Sequence, residues 1–458
     1  MRTIAIVGAG FSGTATAIQL LTRHGELPLR LVLINRHPNL ARGVAYGTQS
    51  PSHLLNVPAG RMGLFPDREG DFLEFIQRFD NSVSAGSFVP RSLYGRYLGA
   101  RLKQAAEQSA KMRMETFTGE VTGLTPAADG SSAVLHFAEG QSLSADQIVL
   151  AVGNYPPADP SIPETDFFKT LHYTRDPWAS GALDRVPLEA PVLLIGTGLT
   201  MMDVALELAH RGLSAVQYAV SRRGLMPQVH RQLPAMPITP PPAGLLEGRG
   251  TARRYLKLTR EYVETLALRG ADWRDAIGAL RAITPALWQA LDQTEQRRFL
   301  RHVQAYWDIH RHRTAPASGE HLARLLASGG LKMAAGRLRR LSGGAGGVNV
   351  TWQPRGSSRE ERLEVGSVIN CTGPQSDITR LADPLMRSLL AHGLIRPDPL
   401  HLGLDVDAEA RVLDNAGQPS DVISYTGPLL RARDWEGTAV PELRVAAERL
   451  ADRLAGTW

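Results

Sequence analysis

The residues with the clearest chemical purpose are glycines. Gly8-Ala9-Gly10-Phe11-Ser12-Gly13 follows the apolar run Thr3-Ile4-Ala5-Ile6-Val7, and Gly196-Thr197-Gly198-Leu199-Thr200 follows Val192-Leu193-Leu194-Ile195. In each case a short apolar strand feeds a Gly-x-Gly turn that opens a helix. That arrangement cradles a dinucleotide pyrophosphate on backbone amides at a helix N-terminus. Gly8 permits the tight turn, Gly10 lets the pyrophosphate approach, and Gly13 lets the helix pack close to its strand, while Phe11 and Ser12 begin the helix whose amides face the phosphates. Gly196 and Gly198 repeat the first two roles, with Thr200 at the start of the helix and Met201 in the third glycine position. One such turn is a weak signal. Two predict two dinucleotides held at once, and the natural pair is a flavin and a nicotinamide with hydride passing between them.

The second strand of each unit ends where a ribose is read. Leu31-Val32-Leu33-Ile34 runs into Asn35 and Arg36, where an acidic residue ordinarily binds the ribose hydroxyl pair; Asn35 accepts a hydrogen bond but carries no charge. Ala215 to Val220 runs into Ser221-Arg222-Arg223-Gly224. An acidic residue there selects NAD, whereas forked guanidiniums pair with the 2′-phosphate of NADP. Arg222 and Arg223 therefore predict NADPH, the alternative being two solvated surface arginines. Gln147 to Val152 reads as the strand leading back over the first nucleotide, with Gly153 giving a tight exit.

Between these units stand Ala41-Arg42-Gly43-Val44-Ala45-Tyr46-Gly47, then His53 to Met62 with Asn56, then Phe65-Pro66-Asp67, and then Val89-Pro90-Arg91-Ser92-Leu93-Tyr94-Gly95. In these segments, and over nearly its whole length, the chain resembles a bacterial family of FAD/NAD(P)-binding proteins. These are relatives of the two-dinucleotide flavoproteins and, among them, of the flavin-containing and N-hydroxylating monooxygenases. The resemblance implies FAD contacts from Arg42, Gly43, Met62 and Arg91, and it sets Asn56 beside the flavin C4a as the candidate catalytic residue. An Asn that satisfies its own loop backbone is an equally good reading. Val368 to Pro374, with Thr372 and Gly373, is similar to the second strand that crosses the flavin nucleotide. Asp421 to Pro428, with Gly427, is similar to the strand that usually ends in Gly-Asp, except that Pro428 stands where the ribityl-binding Asp is expected. Trp435 to Glu442 opens the last helix, with Thr438 as N-cap and Ala439 beside it. Its N-terminus would point at the flavin C2 carbonyl and stabilise the reduced ring.

The elements needed to position these residues are those of an α/β protein: two Rossmann-like domains of the three-layer ββα type and a helical insertion. The first, FAD-type domain is read as 1–175 and 365–458, the NADPH-type domain as 186–230 and 318–364, and the insertion as 231–317. Within the insertion, Pro234 to Pro242 is irregular, and apolar spacing predicts helices over Thr251–Leu268, Trp273–Ile283 and from Thr284 to the region of His312. The last closes on His310-Arg311-His312-Arg313, a basic cluster that fits an anionic substrate, the nicotinamide phosphates, or simply a helix C-terminus.

With 458 residues, 43% hydrophobic and 21% charged, the chain has the composition of an ordinary globular protein. No run of about 18 apolar residues suggests a membrane span. The scattered arginines behind the net charge of +6 call for anionic dinucleotides rather than nucleic acid. The single cysteine, Cys371, excludes a redox pair within the chain. It also points to a cytoplasmic setting, and no Cys or carboxylate set completes a metal site. The function expected is NADPH-driven reduction of FAD, followed by formation of a flavin C4a-hydroperoxide with O2 and oxygenation of a small amine or thioether. Alternatives are a dehydrogenase or reductase serving a quinone or protein acceptor, and a flavin-bound sensor or assembly protein without turnover.

Overall fold

The computed structural model describes residues 1–163, 165–231, 240–344 and 347–457; most of the Pro234 to Pro242 stretch lies outside them. Two sheets organise the molecule. The first has six strands in the order 411–413, 419–425, 147–150, 3–7, 30–35 and 113–118, all parallel except the outermost 411–413 strand. Its central strands are apolar on both faces, as a sheet covered on both sides must be. Ile4, Ile6, Leu31 and Leu33 pack under the helices Phe11–His24, Arg91–Gln108 and Val440–Gly456. The alternate residues Ala5, Val7, Val32 and Ile34 face a three-stranded antiparallel sheet (121–126, 133–137, 142–145) and the helix Pro384–Ala391. The period-two alternation thus builds the helix–sheet–sheet layers.

The second sheet has seven strands in the order 361–365, 347–354, 331–344, 217–221, 192–195, 367–370 and 173–174. Val192 and Leu194 pack under the helices Leu199–His210 and Pro316–Ala327, while Leu193 and Ile195 face Val348, Val350 and Val365. The strand Ser367–Asn370 pairs in parallel with Val192–Ile195, and Val368 and Ile369 pair with Tyr173 and Thr174. The second sheet therefore takes in residues on both sides of the expected 175 and 365 boundaries. Val368 to Asn370 crosses the second nucleotide unit, not the first.

The insertion consists of helices Ala252–Ala267, Trp273–Leu280, Thr284–Gln289, Gln293–His302 and Gln304–Arg311. The single helix expected from Thr284 to His312 is three. Asp292 caps a new start by accepting from the Glu295 amide at 2.9 Å, and a further break falls at Val303. Local capping overrides a continuous apolar stripe here. The last helix begins at Val440 with Ala439 as N-cap and no side-chain cap; Thr438 is exposed, and its amide bonds the Glu436 carbonyl at 2.7 Å instead.

Candidate functional site: two nucleotide cradles and their junction

The two glycine turns have the same construction. Gly8 (φ 112°) and Gly196 (φ 109°) adopt a conformation that side chains avoid, and a Cβ on either would run into a neighbouring backbone carbonyl, that of Ala151 or Cys371. Gly13 is equally constrained, since a Cβ there would lie 1.8 Å from the Gly8 carbonyl oxygen. The middle glycines differ. Gly10 has ordinary dihedrals, and a Cβ there would meet only the Gly43 Cα, at 3.7 Å; at Gly198 it would meet nothing within 4 Å. Each middle glycine is the N-cap of its helix with no side-chain cap, so the first-turn amides of both helices are left for another partner. Gly8, Gly13 and Gly196 are required by the fold itself, while Gly10 and Gly198 leave open space where a phosphate would sit.

At the first ribose position, the Asn35 side chain organises its own loop. Its Nδ2 donates to the His37 and Asn39 carbonyls at 2.6 and 3.2 Å, and its Oδ1 accepts from the Ala9 amide at 3.4 Å. Arg36 turns away to Asp383 and to Glu120, the latter at 3.4 Å. Both contacts are ion pairs within the fold. At the second ribose position, the Ser221 hydroxyl is spent on Thr197 (2.8 Å) and the Gly224 amide (3.0 Å). Arg223 donates to the Arg301 carbonyl at 2.7 Å and lies over the Tyr306 ring. Arg222 is exposed, with no hydrogen bond or ion pair to the described residues. Of the two guanidiniums, Arg222 is the one left to meet a phosphate.

The family described as FAD-NAD(P)-binding matches residues 5–155. Through that segment the chain is similar to the FAD-NAD(P)-binding family. Its fold over the whole length is that of the two-dinucleotide flavoproteins. It is similar to the reduced form of ornithine hydroxylase from Pseudomonas aeruginosa (16% identity, 99% of this chain and 98% of that chain covered, TM-score 0.65). It is also similar to the ornithine N-hydroxylase of Kutzneria sp. 744 solved with FADred, NADP+ and L-orn (15%, 100% and 99%, TM-score 0.66). L-lysine 6-monooxygenase from Pseudomonas syringae is a third such structure (19%, 99% and 98%, TM-score 0.65). At these identities the likeness is one of fold. No curated protein matches the chain by sequence.

In the FAD-binding domain, Arg42 and Gly43 sit directly over the Gly10 turn, pinned there by the Ala41 amide on the Ala9 carbonyl at 2.9 Å. Arg42 is exposed and has no ion pair with the described residues. Gly427 (φ 140°) closes the opposite side, next to the Ser12 hydroxyl. Thr426, 1% exposed, has a hydroxyl with no hydrogen-bond partner. This orphan hydroxyl lies next to Gly427, which in turn borders the Ser12 hydroxyl of the first glycine turn. Its only sequence signal is its place just ahead of Gly427-Pro428.

Other expected contacts lie elsewhere. Met62 is core, buried among Phe11, Leu64 and Phe72. Trp435 is core too, against Trp288 (ring centroids 4.7 Å) and Phe299 (5.1 Å) of the insertion. Thr372 and Gly373 follow the strand Ser367–Asn370 and border the Gly196 turn; Thr372 donates to the Asn370 side chain at 2.7 Å. Gly153 (φ 73°) leaves the strand as expected, with open space around it. Arg91 bridges the domains. It donates to the Leu54 carbonyl at 3.0 Å and to Asp203, on the Leu199–His210 helix, at 2.6 Å.

Asn56 lies at the junction of the FAD-binding domain with the insertion. Its backbone carbonyl accepts from His230 Nε2 at 3.0 Å, while its side-chain amide has no hydrogen-bond partner among the described residues. Burial lowers the His230 pKa to about 4, and Arg313, Arg274 and Arg311 add to the effect. The ring is therefore neutral, with its proton on Nε2, the nitrogen that faces a carbonyl. Sequence reasoning missed His230 because its partner is 174 positions away.

The basic cluster divides. His310 bonds the Tyr306 carbonyl through Nδ1 at 2.7 Å and stands edge-on to Trp273. Arg311 pairs with buried Glu436 at 3.0 Å. His312 lies 3.9 Å from Asp308. Arg313 has a buried Nε with no partner. Cys371 is buried, and burial pushes its thiol up, away from reactivity. No metal-binding group of His, Cys, Asp or Glu occurs among the described residues, and none of their helices is long and apolar enough to cross a membrane.

Proposed function

We propose that the protein is an FAD-dependent oxidoreductase that takes two electrons from NADPH and, with O2, oxygenates a small nucleophilic amine. One oxygen atom goes to the amine nitrogen and the other leaves as water. The observation that carries this reading is the pair of open middle glycines, Gly10 and Gly198, in a fold matched end to end by N-hydroxylating monooxygenases. Bound FAD supplies hydride acceptance and oxygen activation. The chain's own residues do the rest. The first-turn amides from Phe11 hold the FAD pyrophosphate with Gly427 and Thr426 alongside, and those from Leu199 hold the nicotinamide nucleotide. Arg222 reads its 2′-phosphate. The free amide of Asn56, held by His230 through its backbone, offers a hydrogen bond at the flavin face, and the insertion shields that face from water.

The test is electron bookkeeping. Purified holoprotein is given NADPH and a panel of amines in air, and NADPH consumed, hydrogen peroxide formed and hydroxylamine formed are measured together. Hydroxylamine approaching one per NADPH with little peroxide is expected. NADPH oxidation that proceeds anaerobically with a quinone and never yields an oxygenated amine would replace this reading with that of a reductase.

A further inference from the structure

The helices Leu199–His210 and Pro316–Ala327 share one face of the second sheet. Between them and the loop 51–54 of the first domain lies a cavity of about 640 Å³. Its floor is apolar, made by Pro51 and Leu54, by Leu206 and Ala209, and by Leu325. Its rim is basic. Ala317, His321, Arg324 and Ser328 follow one another at three- and four-residue steps, so a single stripe of Pro316–Ala327 faces the cavity. His210, at the end of the other helix, completes the rim.

Nothing in the described lining offsets this charge, since none of those residues is acidic. Arg324 and the two histidines have no carboxylate partner among the described residues. Glu207, one turn before His210, is taken by the Ser50 hydroxyl. Two further donors wait beside the cations. Pro316–Ala327 starts after Ala315, which has no side-chain acceptor, so the first-turn amides of Ala317 and Ser318 are left uncapped. Ser318 is only 6% exposed, lines the cavity, and its hydroxyl bonds to none of the described residues. A buried hydroxyl without a partner is costly to leave unmet.

The cavity is separate from the coenzyme cradle. Leu206 and His210 stand 8 and 12 positions beyond Gly198, which is about 12–18 Å along the helix. We propose that this groove is a further ligand site and that it takes an aliphatic carboxylate. The hydrocarbon chain lies on the apolar floor, and the carboxylate accepts from the Ser318 hydroxyl and the uncapped amides, with His321 and Arg324 supplying opposite charge. The site does not depend on the reaction assigned to the flavin.

The test is binding without turnover. Protein as purified is titrated calorimetrically at low salt with decanoate, with decyltrimethylammonium (a chain of the same length carrying the opposite charge) and with acetate. Decanoate is expected to bind at least about tenfold more tightly than either, because the cation meets the wrong charge and acetate leaves the floor bare. Saturating NADP+ leaves decanoate binding unchanged. Arg324 is exposed, so Arg324→Gln is expected to keep the melting temperature while weakening decanoate about threefold or more, and Arg324→Lys to retain most of the affinity. Ala209→Phe fills the floor and removes binding. Equal binding of decanoate and decyltrimethylammonium, displacement of decanoate by NADP+, or an affinity that survives both Arg324→Gln and Ala209→Phe overturns the proposal.

Discussion

At the scale of single residues, the most informative positions are those where the protein itself asks for nothing. Gly10 is one. A Cβ there meets only the Gly43 Cα at an ordinary 3.7 Å, so Gly10→Val is expected to leave the apoprotein's unfolding midpoint nearly unchanged while FAD occupancy collapses. Gly13→Ala forces a Cβ to 1.8 Å from the Gly8 carbonyl oxygen and is expected to lower stability by about 1–3 kcal/mol or more. Flavin absorbance per protein, read beside thermal melts of the two variants, checks both. A Gly10→Val protein that stays fully yellow would move the cofactor elsewhere. Arg222 is a second such position. A charge-assisted contact to the 2′-phosphate contributes about 1.5–3 kcal/mol, so Arg222→Ala is expected to reduce the preference for NADPH over NADH about tenfold or more. Arg223→Ala has the smaller effect, because Arg223 is already held by the Arg301 carbonyl. Steady-state kinetics with both coenzymes decides it, and equal losses with NADPH and NADH from Arg222→Ala would contradict the assignment.

At the scale of elements, the insertion is fastened to the start of the last helix by charge. Arg281 clasps Glu442, Arg311 pairs with Glu436, and Trp307 Nε1 donates to Glu436 at 2.6 Å. Glu436 is 1% exposed, so Glu436→Gln leaves buried Arg311 with only the more distant Glu442, at 3.6 Å, and is expected to destabilise the protein by about 1–3 kcal/mol. Faster amide exchange should be concentrated in residues 293–311. Unchanged exchange there would mean that the insertion is held by its apolar contacts alone. Local periodicity showed the Phe11–His24 and Leu199–His210 helices to the residue, because each starts at a glycine turn and ends in a basic last turn or a glycine. Where the outcome depended on pairing across the chain, the sequence was silent. The side on which Ser367–Asn370 joins a sheet, the partner of Arg91, and the diversion of Arg36 to Asp383 are set by contacts 112 to 347 positions apart and leave no local pattern. Asn35 and Pro428 were visible as departures, but Thr426 emerges only once folding has buried its hydroxyl.

At the scale of the whole molecule, two histidines stand where its parts meet. His230 joins the insertion to the FAD-binding domain at Asn56, facing Arg313, Arg274 and Arg311. His53 lies against Trp178 and close to Arg91, Asp203 and Glu207, where the FAD-binding domain meets the second. Burial lowers both pKa values, that of His230 from 6.5 to about 4. The unfolded chain therefore binds protons that the folded protein refuses. The stability due to neutral His230 is fully present above pH 6.5 and is lost as pH falls from there through about 4, up to about 3 kcal/mol over the window. Carboxylates add their own loss below about pH 5, so the upper part of the window isolates the histidines. His230→Gln has no proton to gain on acidification, and its amide still reaches the Asn56 carbonyl. Urea unfolding between pH 7 and 5 is expected to give a shallower pH slope for His230→Gln than for wild type, with the curves converging toward pH 5. Parallel curves would mean that His230 titrates alike in the folded and unfolded chain, and with that the neutral donor assigned beside Asn56 would fall.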